Sequence, residues 1–306
     1  MFFHKAVMPE EVLKYLAVVP GGVYVDCTLG EGGHSELLLK NFDIKLLIGF
    51  EQDKDILEIA KKRLNKYKNT VFINDNFFNL SKILKDMDIF GKVNGILMDL
   101  GLSMYHYKES KKGFSFERDE YLDMSFGNNN DITAYDIINY YSEKELSRII
   151  WTLGEERWAR RIARNIVENR KQKKIETTLE LKNIVEKSIP RKFWKRGLSP
   201  ATKTFQSLRI AVNNELTNLE QTLPDVIYSL AKKGRAVVLS YHSLEDRIVK
   251  NIFRLYDRGI DEEGNEHTDK KGIVKVLTKK PVVAGESEIR KNRSARSAKL
   301  RAVEKL

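Results

Sequence analysis

The sequence predicts an α/β fold, a mostly parallel sheet interrupted by an all-helical insertion. Short apolar, β-branched runs alternate with helical patterns four times between residues 23 and 99, as expected for a parallel sheet covered on both faces. Strand character disappears from about residue 107 to 203 and returns at 234–241. Three of the strand-like runs end in an acid, at Asp26, Glu51 and Asp99, where the ligands of such sheets sit.

In chain order, Pro9 opens a helical pattern over 9–17, and Pro20-Gly21-Gly22 punctuates it. Val23-Tyr24-Val25-Asp26 is a strand that turns through Gly30, Gly32 and Gly33 into a helix beginning near Ser35. Strands follow at 46–51, 70–73 and 93–99, with helices over 53–67 and 81–87 between them. The insertion carries helical patterns over 142–151 and 155–170, and Thr177 or Thr178 caps another running to Val185. After the strand at 234–241 comes a helix over 244–253, and residues 257–272 form a loop. The predicted organisation is one discontinuous α/β domain, 1–106 with 204–306, and a helical domain over 107–203.

Composition narrows the function. Hydrophobic residues at 42% and charged residues at 32% describe a globular chain. No apolar run approaches the roughly 18–20 residues that span a bilayer. A single cysteine, Cys27, excludes an intrachain disulfide and a cysteine-based zinc site; no metal is expected, and a cytoplasmic location is. The net charge of +11 points to a polyanion. Arg157, Arg160, Arg161, Arg164, Arg170, Lys171, Lys173 and Lys174 face only Glu168 in their segment. Arg191-Lys192-Phe193-Trp194-Lys195-Arg196 interleaves cations with aromatic rings, as single-strand stacking surfaces do. The last 28 residues hold nine Lys and Arg against three Glu. RNA or DNA is therefore the expected partner.

The glycine turn separates two cofactors. A dinucleotide site places its glycines as G-x-G-x-x-G, with pyrophosphate on the helix N-terminus. Here an acid precedes Gly30, Gly32 and Gly33, and the third glycine falls at the wrong spacing. That acid repels phosphate and suits a ligand with a cationic amine and a sulfonium, such as S-adenosylmethionine. Glu51, about 20 residues on, is placed to accept ribose hydroxyls, or is a surface acid. Phe77 packs on adenine or in the core. Asp99, with Ser103 after it, stands where a carboxylate can hold the N–H groups of an exocyclic amine and localise its lone pair.

At these residues the chain resembles a known family over nearly its whole length, the MraW-type ribosomal RNA small-subunit methyltransferase H family. The resemblance rests on Gly32-Gly33-His34-Ser35, Asp99-Leu100-Gly101, Lys112-Gly113-Phe114-Ser115-Phe116, Leu122-Asp123-Met124 and Gly154-Glu155-Glu156-Arg157. It continues through Thr204-Phe205-Gln206-Ser207-Leu208-Arg209-Ile210, Val212-Asn213-Asn214-Glu215-Leu216, His242-Ser243-Leu244-Glu245-Asp246-Arg247 and Arg296-Ser297-Ala298-Lys299-Leu300-Arg301.

The resemblance implies a class I S-adenosylmethionine-dependent methyltransferase fold, Rossmann-like, with an inserted helical substrate-recognition domain. The implied reaction is methylation of the N4 amine of a cytidine in the decoding region of small-subunit (16S) rRNA. The implied partner is that rRNA within a 30S particle, with a homodimer as the assembly considered. The cofactor positions it implies are Gly32, Gly33, His34, Glu51, Phe77, Asp99 and His106. Catalytic candidates are Asp99, Ser103 and His242; the last either approaches the target base or holds the Asp246-Arg247 segment. The chain departs from the family pattern at Glu51 for Asp, His106 for Gln, Ser125 for Arg, Tyr241 for Phe and Arg293 for Pro. A paralogue acting on another RNA or DNA amine, or a non-catalytic RNA-binding assembly factor, is the alternative.

Overall fold

The computed structural model describes residues 5–127, 132–195, 197–259 and 272–306. Most of the loop expected over 257–272, and Arg196 of the basic-aromatic run, lie outside the described residues. The chain forms two compact units, Met1–Gly101 with Leu216–Leu306, and Leu102–Glu215.

The first part of unit 1 runs α1 (Pro9–Leu16), β1 (Val23–Asp26), α2 (Gly33–Asn41), β2 (Leu46–Phe50), α3 (Lys54–Leu64), β3 (Thr70–Ile73), α4 (Leu80–Asp86) and β4 (Val93–Asp99). The start of α3 is set by Asp53, whose carboxylate accepts from the Asp55 and Ile56 amides at 2.9 and 3.3 Å.

Unit 2 holds α5 (Met104–Lys108), α6 (Ala134–Tyr140), α7 (Glu143–Gly154), α8 (Ala159–Arg170), α9 (Thr178–Ser188) and α10 (Thr202–Asn213). Capping boxes start four of them, Ser103 with His106, Thr133 with Asp136, Ser142 with Glu145 and Thr177 with Glu180. Ile137, Leu146, Ile150, Ile162, Ile166, Leu181 and Leu208 meet in a core of their own.

The unit boundaries fall at 101/102 and 215/216 rather than 106/107 and 203/204. Helix α10 accounts for the second shift. The Asn213 side chain accepts from the Phe126 amide at 2.9 Å and donates to the Met124 carbonyl at 2.8 Å. It thereby holds the loop over 122–126, in which Met124 is left-handed at φ 61°. Arg209 and Glu215 form a two-pronged pair at 2.8 and 2.9 Å. The Leu122-Asp123-Met124 and Val212-Asn213-Asn214 motifs thus belong to one packed unit.

The chain then runs α11 (Glu215–Ser229), β5 (Leu230–Ser240), α12 (Ser243–Arg258), β6 (Val274–Val276), β7 (Val282–Val283), α13 (Glu286–Lys291) and β8 (Lys299–Lys305). The sheet order is β3-β2-β1-β4-β5-β8-β6, with β7 pairing to β8. The first five strands are parallel, and β8 runs antiparallel to β5 and β6. Strand alternation splits the core between the two faces. Val25, Ile48, Ile96 and Val238 join one cluster; Tyr24, Leu47, Leu97, Val237 and Leu239 join the other.

The C-terminal stretch corrects its reading as a basic tail. Leu300, Ala302 and Val303 are fully buried in β8. The Arg301 guanidinium is buried against Asp246, its Nε 2.6 Å from Oδ1. The two motifs around Asp246 and Arg301 are halves of one ion pair. Exposed cations of this region, such as Arg290 and Lys291, lie outside the strand.

Candidate active site

The carboxyl ends of β1, β2 and β4 build one site in unit 1. After β1 the chain turns at Gly30 and Gly32, both left-handed, with φ 52° and 79°. A side chain at either would be strained. A Cβ on Gly30 would meet nothing closer than 3.9 Å, so this turn faces open space. Asp26 is the strut behind it: its Oδ1 accepts from the Thr28 amide at 3.2 Å and its Oδ2 from the Ser35 hydroxyl at 2.7 Å. Burial pushes the Asp26 carboxyl up. The acid that preceded the glycines in sequence therefore shapes the turn from below.

Glu51 closes the turn from β2. Its Oε2 accepts from the Gly30 amide at 3.0 Å and its Oε1 from the Asp53 amide at 2.9 Å. Burial pushes its carboxyl up to about 7, and the charges of Asp53 and Asp26 push the same way against the two amide bonds. Each oxygen keeps acceptor capacity for a ligand hydroxyl. Phe77, which starts the 3-10 turn Phe77–Asn79 after β3, is half-buried and packs against the core cluster. The C-terminal ends of β2 and β3 are tied by Asn76, which donates to Gln52 Oε1 at 2.9 Å.

Asp99 ends β4 with its carboxylate held on one side and flanked on the other. Tyr241 Oη donates to Oδ1 at 2.6 Å, and His34 Nε2, on the first turn of α2, lies 3.4 Å from Oδ2. The Asp99 amide donates to Thr28 Oγ1 at 2.6 Å, which locks the strand end to the glycine turn. The side chain remains 21% exposed, so one edge stays open. The His34 nitrogen is buried without a hydrogen-bond partner among the described residues. Burial and the adjacent Asp99 raise the Tyr241 hydroxyl far above its ordinary range, so it stays a donor. Tyr241 was visible in the sequence only as a departure from Phe; its bond to Asp99 spans 142 residues of sequence.

Seven of the expected site residues therefore lie in unit 1: Gly32, Gly33, His34, Glu51, Phe77, Asp99 and His242. His242 is the N-cap of α12 in a capping box with Glu245. Its Nδ1 accepts from the Glu245 amide at 3.4 Å, and its Nε2 lies 3.1 Å from Glu245 Oε1. In this geometry His242 holds the start of α12.

Ser103 and His106 fall in unit 2, where they serve each other. Ser103 caps α5, and its hydroxyl lies 3.1 Å from His106 Nδ1. The His106 ring is buried against Phe114 and Phe126, with centroids at 5.0 and 5.1 Å. Burial, helped by Lys112 and Arg209, lowers it to about 3, so it is neutral. The cofactor contact expected at His106 thus falls on a neutral ring enclosed by Phe114 and Phe126.

The basic segment also looks different once folded. Arg164 reaches Glu143 at 3.8 Å and Lys173 reaches Glu180 at 2.7 Å. Arg170 spends its guanidinium on the Ile138 and Tyr141 carbonyls at 2.5 and 2.6 Å. Arg157, Arg160 and Arg161 remain as exposed cations. Among the described residues no group of His, Cys, Asp or Glu suits a metal, and no helix is long and apolar enough to cross a membrane.

A parallel sheet with one antiparallel strand next to β5, a glycine turn after β1 and an acid after β2 define a class I S-adenosylmethionine-dependent methyltransferase. The cofactor fits the residues present. The turn is open at Gly30, Glu51 offers acceptors, and the buried His34 nitrogen makes no hydrogen bond among the described residues. All 306 residues match the MraW methylase family, to which this chain belongs.

Among curated relatives, the "Ribosomal RNA small subunit methyltransferase H" of Geotalea uraniireducens is 45% identical over 100% of this chain and 99% of its own. The protein of that name from a Sulfurihydrogenibium species is 44% identical over 98% of each. A solved methyltransferase from Streptococcus mutans in complex with SAH aligns with TM-score 0.46 at 11% identity, covering 99% of this chain and 100% of its own.

Proposed function

We propose that this chain transfers the methyl group of S-adenosylmethionine to the N4 amine of a cytidine in the decoding region of small-subunit rRNA. The observation that carries the reading is the Asp99 carboxylate, fixed by Tyr241 and flanked by His34, with one edge open beside the glycine turn. The names of the curated relatives support the RNA class.

In this reading Gly32, Gly33 and His34 line the methionine side of the donor, Glu51 receives the ribose hydroxyls, and Phe77 lies against the adenine. Bound there, the donor supplies an electrophilic methyl on sulfonium. The work of Asp99 is to accept an N–H of the exocyclic amine, which turns the nitrogen lone pair out of conjugation and toward the methyl. The proton released on transfer passes to that carboxylate. Ser103 is assigned the cap of α5, and His242 positions α12 and the neighbouring Tyr241. Unit 2 and its exposed cations serve RNA binding, with a 30S particle as the substrate.

The test is methyl transfer from labelled donor to 30S particles of a strain lacking the modification, followed by nucleoside analysis. N4-methylcytidine is expected, and label on another nucleoside or on DNA would sink the assignment. Asp99→Ala is expected to abolish turnover while RNA affinity stays within twofold; a variant that still turns over removes Asp99 from the reaction.

A further inference from the structure

We propose that the cleft between α7 and the first turn of α8 binds a single-stranded RNA segment, with one unpaired base stacked on Trp151 and flanking phosphates on Arg148, Arg157 and Arg160. This rests on the RNA-methylating reading and deepens it by naming where unit 2 takes the strand.

The sequence places Lys144, Arg148 and Trp151 at i, i+4 and i+7, on one face of α7. Leu146, Ile149 and Ile150 turn the opposite face into the core. Trp151 is left 60% exposed, an unusual cost for a residue whose burial ordinarily contributes so much. It lines a cleft of about 780 Å³ with Lys144, Arg148, Arg157, Arg160 and a single acid, Glu143. Glu143 is itself directed to Arg164, at 3.8 Å. Among the described residues none of Arg148, Arg157 and Arg160 has a carboxylate within ion-pair distance. Arg157 is pre-positioned, its guanidinium 4.5 Å from the Phe193 ring and 5.8 Å from that of Trp158.

An exposed indole ringed by unpaired guanidinium groups matches a ligand that offers a flat π-face and anions on the same strand. A single strand does so. A duplex hides the faces of its bases within the stack, and an acidic peptide supplies the charge without the ring.

The probe is a hexameric cytidine oligoribonucleotide titrated against the full chain by fluorescence anisotropy, with salt varied. Trp151→Ala is expected to weaken binding about tenfold and Trp151→Phe less than threefold, since a flat ring suffices. Arg148→Gln combined with Arg160→Gln is expected to flatten the log K against log salt slope by about 1.4, two phosphates' worth on a single strand. Hexamer affinity unchanged in Trp151→Ala would overturn the proposal. So would a duplex of equal length that binds as tightly and loses as much. If Trp151→Ala instead alters sedimentation of the free protein and spares RNA binding, the cleft is a contact between copies and the proposal falls. Because binding is read without methyl donor, hexamer binding through Trp151 in a protein that methylates no small-subunit RNA would sink the reaction reading and leave the cleft standing.

Discussion

Glu51 shows how a single carboxylate links folding to ligand binding. It bonds two amides, yet burial holds its pKa near 7 against an ordinary 4.5. The folded chain therefore keeps the proton between those values while the unfolded chain releases it. This group favours folding most below about pH 4.5, and its contribution declines as pH rises to 7. A ribose diol that donates to the carboxylate needs the ionised form, so binding expels the proton. Affinity for S-adenosylmethionine should rise by up to about tenfold per unit from pH 5 to 7 and level off above. Glu51→Gln should bind more weakly with a flat profile, and calorimetry in two buffers of different ionisation heat reads the proton directly.

Tyr241 is the second residue with a measurable signature. Its hydroxyl orients one Asp99 oxygen, at 2.6 Å. Removing it as Tyr241→Phe forfeits a hydrogen bond to a charged group, worth about 1.5–3 kcal/mol in full. With part of that felt in the transition state, kcat should fall about fivefold with donor affinity unchanged. An equal fall in donor affinity would mean that Tyr241 shapes the cofactor pocket rather than Asp99.

At the scale of elements, strand and helix order was legible wherever local signals were strong. The helix expected from 142, the cap at Thr177 (one of the two threonines offered), the glycine turn and the strands at 70–73 and 93–99 all stand where the sequence put them. What was hidden depends on partners far away in the chain. Strand β8 reads as a cationic tail because Lys299, Arg301 and Lys305 interrupt its short apolar run; only the pairing of Arg301 with Asp246 makes a buried cation tolerable there. The enclosure of His106 by Phe114 and Phe126 was hidden in this way, and α10 changed unit because Asn213 bonds backbone 87 and 89 residues earlier.

The β8 pairing carries a prediction of its own. Although burial opposes it, the bond from Arg301 holds the Asp246 carboxyl below its ordinary range. Arg301→Met leaves that acid with Lys299 alone, 3.6 Å away. Urea unfolding should register a loss of about 3 kcal/mol, near the lower end for breaking a buried pair. Adding Asp246→Asn should recover part of it, since the uncompensated charge is then gone.

For the whole molecule, the decisive fact is that each unit carries its own apolar core. Calorimetry should therefore show two transitions rather than one. The donor residues Gly32, His34, Glu51 and Asp99 all belong to unit 1. Saturation with S-adenosylmethionine at about a hundred times its Kd should stabilise that transition by about 2.7 kcal/mol and leave the other in place. A common shift of both would show that the two cores unfold together. The salt response of RNA binding is set by the cations that meet phosphates rather than by the net charge of +11, and the fold removes Arg170 and Arg301 from that account by committing them to structural bonds.

Strand β8 also has a consequence for the order in which the molecule comes into being. It lies between β5 and β6, yet it leaves the ribosome after both. Unit 2, contiguous in sequence from Leu102 to Glu215, can pack as soon as it emerges. The sheet that carries Asp99 and Tyr241 waits, with one edge of β5 bare, until residues 299–305 arrive. Until then a nascent chain exposes an unpaired strand edge that is open to pairing with a neighbour. In this protein vectorial synthesis makes β8 a checkpoint: β5 is paired on both edges only on chains that have been read through to residues 299–305.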